Sequence, residues 1–329
     1  MKFVKRLLPL LFLLCLLCGC ASAEQQREFF AMDTVMQLRA WGAAAALDQA
    51  QKEIERLARI FSCEDAQAEL SRVNAGEPAA SEELRALTKR ALALSAQTWG
   101  AYQPALRPAM LAWGFPTGEY RVPDEAELQA LQIACSVENV TVSDREIRLA
   151  RGAQLDLGGI AKGYAAQRAA ELLKAAGVQS AILSLGGSVT ALGARPDGSD
   201  WQVGLQDPQD AAACFGILRL QDRSVVTSGG YQRYFEQDGV RYSHILDPET
   251  LRCAESGLLS ATAVCSDGTL ADALSTALYV LGLEDGIALW RQGGLDFEAV
   301  WMTDAREIYV TAGLAAAFQS ELPFEVVSR

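Results

Sequence analysis

Residues 155–164 read Leu-Asp-Leu-Gly-Gly-Ile-Ala-Lys-Gly-Tyr, and they carry the first prediction about the fold. The stretch contains the end of a strand, a pair of glycines and the start of a helix predicted from Lys162 to Ala176. A glycine turn of this kind lets the backbone approach a phosphate and directs free N–H groups at it. Lys162, in the first helical turn, opposes the helix dipole, which indicates a cation placed for an anion. A tight turn with a solvated lysine is the alternative, since neither the P-loop nor the dinucleotide-binding glycine spacing is met.

Residues 271–276 read Ala-Asp-Ala-Leu-Ser-Thr and lie in a helix predicted over about 270–281. Asp272 and Thr276 are four residues apart and therefore share one helical face, with Ser275 beside it. A carboxylate and a hydroxyl on one face suit Mg²⁺, which takes few protein ligands and completes its shell with phosphate and water. The alternative is a helix start capped near Thr269, with Asp272 favourably placed in the first turns.

His244, in the segment 243–248, is the only histidine of the chain. If an imidazole acts as a general base in this protein, it must be His244. A structural histidine is the alternative, and Asp247-Pro248 is typical of a turn. Residues 184–187 and 227–231 are organised around glycines, in patterns that fit either a ligand-binding loop or a turn at a sheet edge.

The remaining pattern predicts helices and strands in no regular alternation. Helices are predicted at 43–61, from Ser81 to Gly100, and after Pro123-Asp124. Strands are predicted at 29–41, 181–185, 201–205, 216–220, 258–264 and 298–302, with a hairpin of 140–142 and 147–149 turned at Ser143-Asp144. Because no βαβ repeat emerges, a mixed α+β architecture is favoured over a Rossmann fold.

The first twenty residues predict export. Three basic residues precede the apolar stretch 7–17, which is too short to span a bilayer comfortably, and the sequence Leu17-Cys18-Gly19-Cys20 follows. This pattern resembles a bacterial lipobox and predicts cleavage before Cys20, which would become the lipidated N-terminus. The alternative is an ordinary signal peptide cut near Ala21-Ser22-Ala23.

The lipobox divides the chain into three parts: a signal peptide over 1–19, a lipidated tether over 20–28 and a folded domain over 29–329. Acyl chains add roughly 0.8 kcal/mol of membrane affinity per buried CH₂, so two or three chains hold firmly. The expected location is therefore the extracytoplasmic face of the cell membrane, reached by the lipid anchor alone.

Acidic residues outnumber basic ones, 41 to 29. Without the signal-peptide residues Lys2, Lys5 and Arg6 the balance is 41 to 26, or −15. This charge argues against nucleic acid as a partner and against adsorption to anionic lipid headgroups. An anionic ligand must then be held by positive charge within its binding site, such as a metal ion, helix N-termini or a few basic side chains.

Five cysteines follow the lipobox: Cys63, Cys135, Cys214, Cys253 and Cys265. Their number is odd, and no CxxC spacing occurs among them. The pattern signals neither a zinc site nor a complete disulfide framework. Most are predicted to be small core residues, and the sequence leaves open whether one pair is bridged.

Taken together and in this order, these segments resemble the ApbE family, the FAD:protein FMN transferases. The matching segments cover essentially the whole chain after the tether: residues 32–34, 100–102, 156–164, 184–187, 201–208, 227–231, 243–248 and 271–276. The resemblance implies an α+β fold related to the T-fold, with mostly antiparallel sheets and flanking helices, and a transferase domain over 29–329. Many members are lipoproteins, which agrees with the predicted role of Cys20.

The resemblance also implies a site. FAD, as substrate, would lie against Met32, Ala101, Tyr102, Gln103, Asp156, Lys162 and Leu246. Mg²⁺ would be held by the main-chain carbonyl of Gly159, by the side chains of Asp272, Ser275 and Thr276, and by the FAD phosphates. His244 would be the catalytic base.

In the implied reaction, a threonine or serine hydroxyl of an acceptor protein attacks the phosphorus on the FMN side of FAD, and AMP leaves. Mg²⁺ and Lys162 would offset the phosphate charge that repels a nucleophile. The family modifies threonine in short Ser/Thr-Gly-Ala-Thr-like segments, so an exported or membrane redox protein is the expected acceptor.

The chain departs from the family pattern at three positions. Gln103 stands where an acidic residue is usual, which weakens any charged contact there. Glu64 stands roughly where some members place an aromatic residue near the flavin. Leu251 replaces the glycine that follows Asp-Pro-x-Thr, so another path is expected for that loop.

Three rival functions remain at this stage. A metal-dependent FAD pyrophosphatase would use the same site, with water in place of the protein hydroxyl. A flavin-carrying lipoprotein would bind FAD without turnover, and a plain solute-binding lipoprotein would bind no flavin.

Overall fold

The computed structural model describes residues 23–42 and 44–329, so the predicted signal peptide, the lipobox and Cys20 lie outside the described residues. The helices of the described part are α1 (Ala44–Phe61), α2 (Glu69–Asn74), α3 (Glu82–Gln97), α4 (Arg107–Trp113), α5 (Glu125–Leu131), α6 (Gly158–Ala175) and α7 (Gly268–Gln292). Its strands are β1 (Glu24–Ala31), β2 (Thr34–Trp41), β3 (Val140–Val142), β4 (Ile147–Leu149), β5 (Ala181–Leu185), β6 (Ser188–Leu192), β7 (Trp201–Asp207), β8 (Asp210–Leu220), β9 (Arg223–Ser228), β10 (Tyr234–Gln237), β11 (Val240–Ser243), β12 (Leu258–Cys265), β13 (Glu298–Thr303), β14 (Ile308–Thr311), β15 (Phe318–Gln319) and β16 (Phe324–Val327).

The strands form one large sheet, one small sheet and two hairpins. The large sheet has nine strands in the order β1-β2-β5-β6-β9-β12-β13-β14-β16, and the small sheet has the order β15-β8-β7. Within the large sheet, β14 and β16 are parallel and the other neighbours are antiparallel. The α+β prediction is confirmed, since a Rossmann fold would need a mostly parallel sheet.

The large sheet is covered on both faces. Along β13, Ala299 and Trp301 point to a core shared with α1, α6 and α7, whereas Val300 and Met302 point to a core shared with the small sheet. This alternation is the two-residue period of a strand. Helices therefore pack on one face and the small sheet on the other, and the functional helices α6 and α7 belong to the first layer.

A third, smaller core fixes the segment that carries the histidine. Trp113 and Phe115, at the end of α4, pack with Phe235 of the β10–β11 hairpin. Leu246 and Leu251 are buried in the same cluster. The cluster holds residues 244–251 against α4.

Among the described helices, α7 alone has the length and hydropathy of a membrane span. Its most apolar 18 residues have a mean hydropathy of 1.2, but 56 % of that window is buried inside the protein. Because its contacts are with α6, β9 and β12, we interpret α7 as a core helix.

The prediction of one strand over 29–41 is wrong. The segment is the hairpin β1–β2, turned at Met32 and Asp33, whose φ angles are 48° and 60°. The turn uses no glycine, and the apolar alternation runs through it, so no break is visible in the sequence pattern. Because β1 starts at Glu24, residues 24–28 of the predicted tether form part of this sheet.

The other predicted elements lie close to their observed positions. Ser81 caps α3 by accepting the N–H of Leu84, and Asp124 caps α5 in the same way. Helix α6 begins at Gly158 rather than Lys162, because its first turn includes both glycines. Helix α7 runs beyond the predicted end to Gln292, and Gly282 (φ 77°) marks the kink where the prediction stopped it.

The cap of α7 is Asp267, two residues before Thr269, and its side chain accepts the N–H of Leu270. The five cysteines named above are all free thiols. Cys135 and Cys265 are buried and Cys214 is exposed, so the prediction of small core residues holds for part of the set.

Candidate active site

Helices α6 and α7 cross with their backbones in contact, and glycines make this possible. A Cβ on Gly163 would lie 2.1 Å from the carbonyl oxygen of Gly268 and 2.6 Å from the Cβ of Asp272. One turn earlier, a Cβ on Gly159 would lie 3.5 Å from Thr276 Oγ1. Residues four apart lie on one helical face, so these two faces meet in register. The crossing brings the glycine turn and the acidic helix together.

Asp272 is held at the centre of this crossing. Its side chain is 3 % exposed, and its Oδ2 accepts the backbone N–H of Gly163 at 2.8 Å. In a regular α-helix that N–H would go to the carbonyl of Gly159 alone. A carboxylate has about four acceptor sites, and none of the ion pairs among the described residues involves Asp272. A buried carboxylate with so few partners is suited to a cation.

Three hydroxyls, those of Ser228, Ser275 and Thr276, form a cluster at this part of α7. Ser275 Oγ donates to the carbonyl of Asp272 at 2.8 Å and lies 2.9 Å from Ser228 Oγ, at the end of β9. Ser228 Oγ also lies 3.4 Å from Thr276 Oγ1. Ser275 is fully buried, whereas Thr276 is partly exposed. The geometry therefore presents Thr276 to the site and ties Ser275 to the helix and to β9.

Tyr102 closes the other side of the crossing. The edge of its ring would lie 3.2 Å from a Cβ on Gly159, and its side chain is 3 % exposed. Burial, and then the negative charges of Asp272 and Asp156, raise the pKa of the Tyr102 hydroxyl well above its ordinary value. The hydroxyl therefore keeps its proton, yet it is buried without a hydrogen-bond partner in the described part of the chain. An unpaired buried hydroxyl costs about 1–3 kcal/mol, so this donor fits an acceptor atom of a ligand.

Asp156 organises the start of α6. Its Oδ1 accepts the N–H of Gly158 at 2.7 Å, and its own N–H donates to the carbonyl of Pro104 at 2.8 Å. The second bond ties the glycine turn to the loop that carries Ala101, Tyr102 and Gln103. In this loop, Gln103 Oε1 accepts the N–H of Ala105 at 3.2 Å. Four of the predicted FAD residues thus belong to one hydrogen-bonded unit.

Lys162 is the fifth residue of α6, not a first-turn residue as predicted. Its Nζ donates to the carbonyl of Gly158 at 3.1 Å, so the ammonium group lies at the N-terminal end of the helix all the same. It is partly exposed and accessible to an anionic ligand. Lys162 therefore still places a positive charge beside the glycine turn.

His244 follows β11 and is held by a single backbone carbonyl. Its N–H and its Nδ1 lie 3.1 and 3.0 Å from the oxygen of Arg233. A carbonyl can only accept, so Nδ1 carries the ring proton and Nε2 keeps its lone pair. Phe115 contacts one edge of the ring, with centroids 6.5 Å apart. The free Nε2 is the atom that a base requires.

The electrostatic environment keeps this imidazole neutral. Burial lowers the pKa of His244 to about 4, and the positive charges of Arg233 and Lys162 lower it further against the effect of the Arg233 carbonyl. The charge of the predicted cation, Lys162, therefore opposes protonation of the predicted base. At neutral pH the ring is therefore ready to accept a proton.

Two of the departures from the family pattern have a local explanation. Glu64 pairs with the buried guanidinium of Arg107 at 3.0 Å, which also donates to the carbonyl of Cys63. Leu251 adopts the left-handed conformation, with φ 58°, that a glycine would take there. Its side chain is fully buried in the third core, and Trp113 Nε1 donates to its carbonyl at 2.9 Å.

The two remaining residues that are predicted to contact FAD are Leu246 and Met32. Leu246 is buried in the third core beside the histidine segment. Met32 sits in the β1–β2 turn and packs against the main core. The next residue but one, Thr34, abuts the Gly186-Gly187 turn, where a Cβ on Gly186 would lie 2.4 Å from Thr34 Oγ1.

Sequence reasoning left Gly163 and Arg233 without a role, and it named Ser228 only within the segment 227–231, which could bring hydroxyls and backbone N–H groups together. Gly163 could have been found from its spacing of four from Gly159, which matches the spacing of Asp272 and Thr276. Ser228 lies in a segment singled out for its glycines, but its partners are distant in sequence. Arg233 acts through a backbone carbonyl, which no side-chain pattern reveals.

The donor set is compatible with a hard cation bound together with a ligand. The described residues contain no cluster of three or more His, Cys, Asp and Glu side chains. One carboxylate, a threonine hydroxyl and a backbone carbonyl are few ligands, and all are oxygen donors, which is the set that Mg²⁺ accepts when phosphate and water complete its shell. A zinc site, by contrast, would need nitrogen or sulfur ligands in fixed number.

Comparisons with known proteins agree with this geometry. The chain is 32 % identical over 337 residues to a protein of Treponema pallidum named FAD:protein FMN transferase, covering 92 % of each. The crystal structure of the ApbE protein from Thermotoga maritima superposes with a TM-score of 0.83 at 28 % identity, covering 90 % of this chain and 99 % of the other.

The apo flavinyl transferase ApbE of Pseudomonas stutzeri superposes with a TM-score of 0.76 at 32 % identity, covering 86 % and 92 % of the two chains. The sequence pattern that describes the ApbE family matches residues 32–301, which include every residue discussed above for the crossing of α6 and α7. The chain belongs to the ApbE family.

Proposed function

We propose that this protein transfers the FMN half of FAD to a serine or threonine hydroxyl of another protein and releases AMP. The observation that carries the proposal is the α6–α7 crossing, where buried Asp272, Thr276 and the unpaired Tyr102 hydroxyl surround the glycine turn. Oxygen ligands for a cation and donors for a phosphate thus converge within one helical turn of each other. The names of the relatives support the same reaction.

In this proposal Asp272, Thr276 and the carbonyl of Gly159 hold Mg²⁺ against the FAD diphosphate. A carbonyl oxygen has two lone pairs, so Gly159 can accept a cation beside its helical bond. Ser275, whose hydroxyl already bonds the Asp272 carbonyl, supports the helix rather than the metal. When bound, the ion supplies Lewis-acid stabilisation of the phosphate charge.

The residues of the chain perform the remaining steps. The Tyr102 hydroxyl and the Lys162 ammonium orient the dinucleotide by donating to its oxygens. His244 Nε2 takes the proton of the acceptor hydroxyl, whose oxygen forms a new bond to the FMN phosphorus. The phosphoanhydride bond breaks on the other side of that phosphorus, and AMP leaves with the bonding electrons. The incoming phosphates raise the low pKa of His244 and so strengthen the base when substrate is present.

A labelling assay tests the proposed function. We incubate the protein with FAD, Mg²⁺ and a synthetic peptide that contains Ser-Gly-Ala-Thr, and we expect a mass gain of one FMN less water on the peptide. Asp272→Asn keeps an acceptor for the Gly163 N–H but removes the charge, so labelling should fall about a hundredfold or more, as for loss of other transition-state contacts. Asp285→Asn, on an exposed face of the same helix, is the matched control.

Labelling by Asp272→Asn at the parent rate, or labelling that persists in EDTA, would contradict the proposed metal site. Release of free FMN and AMP without any labelled peptide would instead favour the pyrophosphatase. Binding of FAD without either product would favour a flavin carrier.

The proposal includes location and partner. The lipobox supports acylation at Cys20 and anchoring at the extracytoplasmic face, with an exported or membrane redox protein as acceptor. Expressed in a bacterium, the parent should fractionate with membranes and Cys20→Ser should be released. Equal membrane association of the two would refute the lipid anchor.

A further inference from the structure

Ser228 is the last residue of β9, and its hydroxyl connects the large sheet to α7. Its Oγ lies 2.9 Å from Ser275 Oγ and 3.4 Å from Thr276 Oγ1. Both contacts join side chains and are additional to the main-chain hydrogen bonds of the sheet and the helix. The proposed function places Thr276 among the cation ligands, and it gives Ser228 no part.

The direction of the hydrogen bonds in this cluster follows from the carbonyl at its end. Ser275 Oγ lies 2.8 Å from the main-chain oxygen of Asp272, which can only accept, so Ser275 gives its single proton to that oxygen. Ser228 then donates its own proton to Ser275, because each hydroxyl has only one. It follows that Ser228 accepts the proton of Thr276. The reverse direction would set lone pairs of Ser275 and of the carbonyl against each other at 2.8 Å.

The usual alternative partner of a helical threonine is already occupied. A threonine hydroxyl in a helix often donates to the carbonyl four residues earlier, which for Thr276 is the carbonyl of Asp272. A carbonyl oxygen has two lone pairs. The N–H of Thr276 takes one of them, since this part of α7 is regular, and Ser275 Oγ takes the other. Ser228 therefore remains as the acceptor for the Thr276 proton.

This direction decides which part of the Thr276 hydroxyl is available to a cation. Thr276 Oγ1 lies 3.5 Å from the position of a Cβ on Gly159, so it is close to the glycine turn of α6 as well as to β9. When its proton is directed to Ser228, the oxygen keeps both lone pairs for other partners. A hard cation binds such lone pairs, whereas a proton turned toward the cation would repel it.

We infer that Ser228 is a positioning residue for the cation, because it accepts the Thr276 proton and so leaves the lone pairs of Thr276 Oγ1 free for the metal ion. Ser275 supports this direction by donating to the Asp272 carbonyl. Without Ser228, the Thr276 proton could turn toward the carboxylate of Asp272, one helical turn earlier on the same face, and compete with the cation. The inference rests on the proposed metal-dependent transferase and adds a residue of the sheet to its metal site.

The test measures how strongly Mg²⁺ improves the binding of FAD. The Kd for FAD is determined by flavin fluorescence in Mg²⁺ and in EDTA, without an acceptor peptide, and the ratio of the two values is the Mg²⁺-dependent gain. Ser228→Ala should reduce this gain about fivefold, the effect of losing one hydrogen bond, and should leave the Kd in EDTA unchanged. Ser228→Thr keeps a hydroxyl and should restore the gain to within about twofold of the parent.

Ser224 provides the matched control, since it lies on the same strand and also faces α7. Its Oγ lies 2.8 Å from Thr190 Oγ1 and 3.0 Å from the position of a Cβ on Gly268, at the start of that helix. Ser224→Ala removes a buried hydroxyl and Ser228→Ala a partly exposed one, so Ser224→Ala should lower the unfolding temperature at least as much. Its Mg²⁺-dependent gain should nevertheless equal that of the parent.

The outcomes separate this inference from the proposed function. A Mg²⁺-dependent gain that is equal in Ser228→Ala and the parent overturns the positioning role and leaves the metal site intact. An equal loss of FAD affinity in Mg²⁺ and in EDTA also overturns it, because Ser228 would then act on the nucleotide or on the fold alone. A reduction of the gain in Ser224→Ala as large as in Ser228→Ala has the same meaning. A parent protein with the same FAD affinity in Mg²⁺ and in EDTA refutes the proposed metal site itself.

Discussion

The contact between Gly163 and Asp272 shows how a single main-chain group prepares a site. The N–H of α6 fixes one carboxylate oxygen of α7 at 2.8 Å, so the second oxygen can point toward the glycine turn. His244 is prepared in the same manner, because the Arg233 carbonyl selects its tautomer. The positions of the Asp272 and His244 side chains thus depend on backbone atoms of Gly163 and Arg233. Substitution of Gly163 or Arg233 does not remove these atoms.

The low pKa of His244 predicts a pH dependence of stability. The ordinary value is 6.5 and burial lowers it to about 4 in the folded protein, so between these values the unfolded chain binds the proton and the folded chain does not. Stability contributed by neutral His244 is therefore present above pH 6.5 and is lost as pH falls toward 4. In urea denaturation across this window, His244→Gln should show a shallower loss of unfolding free energy than the parent. Parallel losses would contradict the buried neutral imidazole.

Because the backbone of Leu251 is left-handed, we expect Leu251→Gly to be less destabilising than Leu251→Ala, which reverses the usual order. Removing its buried side chain costs about 2–5 kcal/mol, more than the roughly 1–2 kcal/mol that relief of the left-handed strain returns, so both variants should be destabilised. Leu251→Gly relieves the strain and Leu251→Ala does not. The glycine variant should therefore unfold at a higher temperature than the alanine variant in calorimetry, by an amount equivalent to about 1 kcal/mol. The reverse order would mean that the loop does not hold this residue at positive φ.

At the scale of elements, the site depends on how closely α6 and α7 approach. Four-residue spacings on both helices put Gly159 against Thr276 and Gly163 against Gly268 and Asp272. The two glycines differ in what a methyl group would meet. Gly163 faces the backbone of α7, whereas Gly159 faces the edge of the Tyr102 ring.

This difference predicts opposite outcomes for two matched substitutions. Gly163→Ala puts a Cβ 2.1 Å from a carbonyl oxygen of α7, which must push the helices apart and should cost about 1–3 kcal/mol or more, with loss of FMN transfer. Gly159→Ala meets the Tyr102 ring at 3.2 Å and Thr276 Oγ1 at 3.5 Å and gains about 1 kcal/mol of helix propensity, so its stability should stay close to the parent. Thermal unfolding and the peptide-labelling rate measure both. Similar behaviour of the two variants would refute the close crossing.

At the scale of the whole molecule, the charge opposes the proposed substrate. Without Lys2, Lys5 and Arg6 of the predicted signal peptide the formal charge is −15, and FAD is an anion. In the proposed function, attraction to the site is therefore local, through Lys162 and the proposed metal ion, and repulsion is long-ranged. The two effects differ in their response to salt.

This balance predicts that FAD associates faster as salt is added. The screening length falls from about 30 Å at 0.01 M to about 8 Å at 0.15 M, which removes the repulsion of the whole surface before the attraction inside the site. Stopped-flow fluorescence should show an association rate that rises a few-fold over this range. A rate that falls would mean that local cations dominate at every distance.

Many helices and strands could be predicted because residues close together in the sequence set where they begin and end. The helix caps at Ser81 and Asp124 and the hairpin at 140–149 follow from residues only a few positions apart. The β1–β2 turn could not be predicted, because Met32 and Asp33 take positive φ without a glycine and are held there by the strands they join. The start of α6 was misplaced because glycines were interpreted as a turn, whereas packing on α7 makes them helical.

By itself the sequence determined the mixed α+β class and the family, and it predicted the acid, hydroxyl and histidine of the proposed site, because these follow from residue types at close or ordered spacing. Only the tertiary structure decided that Gly163 rather than a side chain positions Asp272, and that Ser228 joins the hydroxyl cluster. These depend on groups brought together from far apart in the chain and partly on backbone atoms. Every residue has such atoms, so no pattern of side chains can indicate which of them will meet.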